Sequence, residues 1–103
     1  MRHAILLAPS AVRELRALRA HVRARVQAAM ETHLRHEPTK VSRSRIKRLR
    51  GLRQPQYRLR VDDVRVFYDV REGVVEVLAI VTKAQAQRWL GERGVPNEEG
   101  SPH

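Results

Sequence analysis

The chain has 103 residues, of which 42% are apolar, enough for one modest core and too few for a second. It carries 21 Lys and Arg against 11 Asp and Glu, a net charge of +10, and a chain so charged repels itself and seeks a polyanion or an acidic protein. There is no cysteine, and the longest apolar runs, residues 4–8 and 77–81, are five residues; disulfide scaffolds, thiol chemistry, thiolate zinc sites, a membrane span and a signal-peptide core are excluded, so a soluble, cytoplasmic chain with no membrane partner is expected.

Residues 4–8 read as a short buried strand stopped by Pro9-Ser10, with Ser10 as the N-cap of a helix. From Val12 to Leu34 apolar residues fall at 12, 15, 18, 22, 26, 29, 30 and 34, the steps of an amphipathic helix. Glu31 and Arg35 are spaced as an i,i+4 pair. Neither Pro nor Gly interrupts residues 10–37, yet one straight helix of about 26 residues would run ~39 Å, longer than a domain of this size is wide. A tight turn near Arg19-Ala20-His21 is therefore expected, making a helical hairpin. Glu37-Pro38-Thr39 ends its second arm, because the residue before proline avoids the α region. Residues 40–56 are polar and basic; Ile46 and Leu49 anchor a short edge strand, and Gly51 to Gln56 reads as a loop.

The clearest pattern comes next. Residues 57–61 and 64–70 alternate apolar with charged, and Asp62-Asp63 lies between them as a two-residue hairpin turn. That turn pairs Val61 with Val64, Arg60 with Arg65, Leu59 with Val66, Arg58 with Phe67 and Tyr57 with Tyr68. One face carries Tyr57, Leu59, Val61, Val64, Val66, Tyr68 and Val70 and packs on the helices; the other carries Arg58, Arg60, Arg65, Phe67 and Asp69. Arg71-Glu72-Gly73 turns the chain into a strand over 74–82, apolar on nearly both faces and so central or covered on both sides. Residues 84–92 form a last short helix anchored by Trp89 and Leu90 and stopped by Gly94. Residues 95–103 read as a disordered tail, leaving 1–94 as a single domain. The expected class is α+β: a mainly antiparallel sheet of four or five strands, a helical hairpin on one face and a short C-terminal helix.

The positive charge is concentrated. Residues 40–60 hold nine cations and no acid: Lys40, Arg43, Arg45, Lys47, Arg48, Arg50, Arg53, Arg58 and Arg60. Ordinary surfaces mix both signs, so this run reads either as a solvated surface or as a phosphate-binding strip. In the hairpin, Arg60 and Arg65 face each other with Arg58 beside them. Like charges so placed cost a few tenths to about 1 kcal/mol, which a bound anion would offset. Guanidinium groups bind phosphate through paired N–H donors, and Phe67 offers a stacking surface for a base. The competing reading has Asp62, Asp63 and Asp69 neutralise the cluster as ion pairs.

Lys47-Arg48-Leu49-Arg50-Gly51, followed by Tyr57 to Val70, resembles the core motif of the RelE/ParE superfamily, the toxins of bacterial type II toxin–antitoxin pairs; Pro9-Ser10-Ala11 with Leu15 and Leu18 resembles its first helix. The resemblance spans roughly residues 3–91. It implies a RelE-like fold and a small basic ribonuclease that cuts mRNA in the ribosome and is blocked by an acidic antitoxin. It implies that Arg58 and Arg60 contact and activate the scissile phosphate, that Arg65 stabilises the developing charge, and that Lys83 replaces an arginine after the last strand. The basic run (Lys40, Arg43, Arg45, Lys47, Arg48, Arg50, Arg53) and Phe67 would bind RNA and ribosome. Neither metal nor other cofactor is expected, since preorganised cations can stabilise a dianionic phosphorane unaided. Two departures stand out: no tyrosine or histidine occupies the C-terminal position of the usual proton-transfer group, where Trp89 and Leu90 lie, and Asp62 stands where the family prefers glycine.

Other polar residues are discounted. His33 and His36 share a helix face without a third ligand nearby, His21 reads as a surface residue, Ser42 and Ser44 as solvated, Tyr57 and Tyr68 as core. Trp89 reads as a core plug or part of an antitoxin groove. The alternatives are a ParE-like poison of DNA gyrase and a non-catalytic module that binds nucleic acid or antitoxin.

Overall fold

The computed structural model describes residues 2–97. The elements run β1 (Ala4–Leu7), α1 (Pro9–Ala17), α2 (Ala20–Ala29) continued by a π-helical segment (Met30–Leu34), β2 (Ile46–Arg48), β3 (Leu52–Gln54), β4 (Tyr57–Val61), β5 (Val64–Arg71), β6 (Val74–Thr82), α3 (Lys83–Arg93) and β7 (Val95–Pro96). Five strands form one sheet in the order β1-β6-β5-β4-β2. β1 pairs with β6 in parallel; the other neighbours are antiparallel. The class is the expected α+β, and β6 lies inside the sheet, between β1 and β5, with buried residues on both faces.

The helical hairpin breaks at Leu18 and Arg19, whose ψ values of 150° and 148° are extended. This is one residue before the expected turn. Arg23 closes the corner: Nη1 donates to the carbonyls of Arg16 (3.0 Å) and Leu18 (3.4 Å). The first helix starts two residues earlier than the Ser10 cap predicts. Pro9 is its first residue and Ala8 its cap, without a capping side chain; a proline at that position lacks the N–H that would be unpaired anyway. The Ser10 hydroxyl instead donates to Leu78 O at 3.4 Å. The second arm ends at Leu34, short of the expected stop at Pro38. Arg35 and Glu31 form the expected i,i+4 ion pair.

The β4–β5 register is the one read from the alternation, residue for residue. Asp62 turns the chain with φ of +52°, a conformation that glycine adopts freely and aspartate tolerates. Leu59, Val64, Val66, Tyr68, Val75, Val77 and Ile80 pack from the sheet against Ala11, Val26, Met30 and Leu34 of the helices. A register shift in the β5–β6 ladder, between Phe67 and Tyr68, accompanies Val77 and Ile80 sharing this core despite their odd spacing. Tyr57 and Tyr68 stack at 5.5 Å. The Tyr68 hydroxyl donates to Pro38 O at 2.6 Å, and burial holds its pKa well above the ordinary phenol value.

The opposite face has a smaller cluster. Phe67, Ala79 and Val81 are covered by Leu49 and by Ala86, Trp89 and Leu90 of α3. α3 is fixed at its start by a capping box between Thr82 and Gln85 and stops at Gly94, as expected. Two expectations are corrected. The stretch 51–56, read as a loop, contains β3, and the tail begins with an ordered strand, β7, paired to it. Asn97 N also donates to Gly51 O at 3.0 Å. Backbone pairing of two- and three-residue strands requires no side-chain periodicity, so nothing in the pattern marks it. The rest of the tail, from residue 98, lies outside the described residues.

Candidate nucleic-acid interface

Strand register assembles the cations. Arg58 of β4 lies between Lys47 of β2 and Phe67 of β5. One rung further, Arg60 is opposite Arg65, and its N–H donates to Arg45 O at 2.8 Å. Arg60 and Arg65 thus face each other on adjacent strands spaced ~4.8 Å apart, with Arg45, the residue before β2, on the other side of Arg60. Lys83, the first residue of α3, donates its backbone N–H to Asp63 O at 2.8 Å, which pins the helix start beside the hairpin turn.

Arg58, Arg65, Lys47 and Lys83 line one cavity of about 280 Å³, whose apolar part is Leu49, Phe67, Ala86 and Leu90. Its wall thus combines four cations with apolar side chains. Arg65 is only 7% exposed; its Nη1 donates to the carbonyls of Asp62 (2.8 Å) and Val64 (3.2 Å), so its position is fixed by the turn. Arg58 is half-buried, and its Nε is enclosed without a hydrogen-bond partner. Burial first, then the charges of Arg65 and Arg60, lower the Arg58 pKa. Burial and Arg60 lower that of Arg65, and Asp63 opposes them.

The aspartates do not neutralise this cluster. Asp62 pairs with Arg25 at 2.6 Å. Asp69 accepts from Gln54 Nε2 at 2.7 Å and from Gln56 N at 2.8 Å. Asp63 alone acts on the arginines. The ion-pair reading of the cluster is therefore replaced by a net cationic site.

Other predicted residues are dispersed. Arg60 is exposed and lines a neighbouring cavity, with Arg25, His33, Arg45 and Asp62. Arg48 sits over the Tyr57 ring, 5.1 Å from its centroid, and donates to Gln56 O at 2.8 Å. Lys40 pairs with Glu37 at 3.6 Å. Arg43, Arg50 and Arg53 are exposed and line neither cavity. Phe67 is corrected outright: it is 1% exposed, and its ring is stacked on that of Trp89, centroids 5.1 Å apart and planes nearly parallel, at 6°. The apolar stripe of α3 needs a partner, and Phe67 is that partner, so it is not available to stack on a base. Sequence reasoning gave Lys47 no special place and missed Leu49 and Leu90 in the cavity wall. Ile46 is the buried residue of β2, and its inward side chain sends Lys47 outward, the signal that would have found it.

Among the described residues no three His, Asp or Glu come together as metal ligands, and no helix is long and apolar enough to cross a membrane. Known proteins decide the family. The sequence profile of ParE toxins of type II toxin–antitoxin systems (parDE) matches residues 5–87. The chain belongs to this toxin family. No curated protein matches it in sequence. Among solved structures it is similar to the archaeal RelE–RelB complex from Pyrococcus horikoshii OT3, at 23% identity and TM-score 0.68 over 82% of this chain and 99% of that one. It is also similar to a mutant of the E. coli toxin RelE in the free state (23%, TM-score 0.67, 89% and 94%). The RelB–RelE complex from Methanococcus jannaschii is a third relative in fold (19%, TM-score 0.62, 82% and 96%). The ParE-family toxin therefore has the RelE-like fold that its hairpin motif implies.

Proposed function

We propose that this toxin is a metal-independent endoribonuclease that cuts mRNA in the ribosome and is held inactive by an acidic antitoxin. The observation that carries the reading is Arg58: an enclosed guanidinium N–H without a partner, in one cavity with Arg65, Lys47 and Lys83. A phosphodiester supplies the acceptor oxygens that such a group requires. Attack of a ribose 2′-hydroxyl on the adjacent phosphorus forms a new P–O bond and breaks the bond to the 5′-oxygen. The products are a cyclic phosphate and a 5′-hydroxyl. The hydroxyl's proton leaves to solvent, and Lys47 or Lys83 donates one to the departing 5′-oxygen. Negative charge grows on the phosphoryl oxygens in between, and fixed cations aimed at it lower the barrier. The net charge of +10 suits an acidic antitoxin, and the archaeal relatives are complexes of RelE with RelB.

A second reading, inhibition of DNA gyrase, is favoured by the ParE profile and by the cavity wall, which contains no carboxylate, imidazole or phenol. Induced expression without antitoxin, with genome-wide mapping of mRNA 5′ ends, tests both. The ribonuclease reading expects new ends positioned by the ribosome, lost in a folded Arg58→Met protein. Growth arrest with DNA damage and no new mRNA ends refutes it in favour of gyrase.

A further inference from the structure

A second cavity, of about 310 Å³, opens where the β2–β4 edge meets α2. Arg25, Arg45, Arg60 and His33 line it, with Asp62 as the one acid. Asp62 is already paired with Arg25. The side chains of Arg45 and Arg60 form no hydrogen bond or ion pair among the described residues. His33 belongs to the π-helical segment that ends α2, a local irregularity found often at functional sites. Arg60 joins the two cavities: it lines this one, and its charge bears on both Arg58 and Arg65 in the other. Arg58 and Arg60 are two residues apart on a strand, about 7 Å.

We propose that this cavity is a second phosphate subsite, which takes a neighbouring phosphate of the same single RNA strand whose phosphodiester occupies the Arg58 cavity. The inference rests on reading the Arg58 cavity as a phosphate site and extends it into a two-phosphate track running from Lys83 to Arg25. It explains why three arginines lie abreast, Arg45 just ahead of β2, Arg60 on β4 and Arg65 on β5, an arrangement that folding alone disfavours. It also explains why the charge excess continues past the cavity that would do the chemistry. Burial, then the charge of Arg45, lowers the His33 pKa, so His33 is neutral in the free protein near pH 7. The charged groups around it are Glu37, Lys40 and Arg45 on one side and Arg25, Arg60 and Asp62 on the other. A bound phosphate offsets the cationic surroundings and favours the protonated ring, so occupancy of the subsite takes up a proton.

The test uses the full chain and two uncleavable fluorescent probes, a 2′-O-methyl dinucleotide with one phosphate and a 2′-O-methyl tetranucleotide with three. Arg25→Gln and Arg45→Gln, both at exposed positions, are expected to weaken tetranucleotide binding about tenfold each and to lower the salt slope by ~0.7. Dinucleotide binding stays unchanged. Tetranucleotide affinity rises as pH falls from about 8 to about 5.5 through the His range, and His33→Gln flattens that rise. Equal loss for both probes overturns the subsite, because the cations then act only as a diffuse field; so does no loss for either. A wild-type protein that fails to bind the dinucleotide sinks the phosphate reading of the Arg58 cavity itself. Absence of mRNA cleavage in cells leaves the binding comparison standing.

Discussion

Replacing Arg58 by methionine should stabilise this protein while removing its function. The Arg58 Nε is enclosed without a partner. Lys47 lies directly across from it on β2 and Arg65 diagonally on β5. A buried donor left unpaired costs about 1–3 kcal/mol, and a like charge opposite adds a few tenths to about 1 kcal/mol. Methionine keeps an apolar stem out to the position of Nε, lacks the rest of the guanidinium, and removes both costs. Because Arg58 is only half-buried, the lower part of that range applies, about 1–2 kcal/mol. For a domain of this size each 1 kcal/mol moves Tm by roughly 4–8 °C. Thermal unfolding at low ionic strength in a phosphate-free buffer should therefore show Arg58→Met melting at least about 4 °C above wild type. Adding inorganic phosphate stabilises a protein that binds it in the folded state, so the wild type should rise toward the variant and the gap should close. A variant that melts with or below the wild type in the absence of anion refutes the reasoning, because Arg58 would then carry no folding cost for a ligand to relieve.

Three further outcomes are expected. Tyr68→Phe strands the buried Pro38 carbonyl and should cost about 1–2 kcal/mol in urea unfolding, with RNA binding unchanged because Tyr68 packs on the helical face. Trp89→Ala removes the ring that covers Phe67 and should cost about 2–3 kcal/mol, below the range for a fully buried tryptophan; denaturant midpoints check it, and a cost under 0.5 kcal/mol would deny α3 its anchoring role. His33 has a folded pKa below its ordinary value of 6.5, so its neutral form favours folding: its contribution is complete above the unfolded pKa and is lost as pH falls from there through the folded value. The Tm of the wild type should accordingly fall more steeply on acidification below about pH 6.5 than that of His33→Gln.

Legibility in the sequence tracks the strength of local periodicity. The β4–β5 hairpin could be read to the residue because strand side chains alternate with period two and a two-residue turn leaves one register. The helical break was legible only from size: no glycine or proline marks Leu18 and Arg19, and Arg23, which secures the corner through carbonyls of the preceding arm, shows no pattern until the chain is folded. β3 and β7 were illegible because they are held by backbone pairing alone. Phe67 illustrates a different failure. Parity assigned it correctly to the arginine face, but parity does not say what lies above that face. Trp89 and Leu90 are the anchor of α3 legible in the sequence, and together with Ala86 they must bury themselves against something apolar. Phe67, Ala79 and Val81 were the partners on offer.

That division of the outer face explains how a cluster of like charges can be held in place. Under α3 it has an ordinary core of Phe67, Trp89, Ala79 and Val81; beside that core Arg58, Arg65, Lys47 and Lys83 line the cavity. The helical face contains the main core, so the sheet is stable enough to absorb the repulsion among Arg45, Arg60 and Arg65. The acids that could have relieved it are placed to do other work. Asp62 ties the hairpin turn to α2 through Arg25, and Asp69 holds the chain on either side of Pro55 through Gln54 and Gln56. Each of these contacts uses a carboxylate to position an element that frames the cationic face. Turning Asp62 from Arg25 onto Arg60, or Asp69 from the glutamines onto Arg65, would lose that framing and add an ion pair to the cluster. The carboxylates that frame the face thus leave Arg45, Arg60 and Arg65 without an ion-pair partner among the described residues.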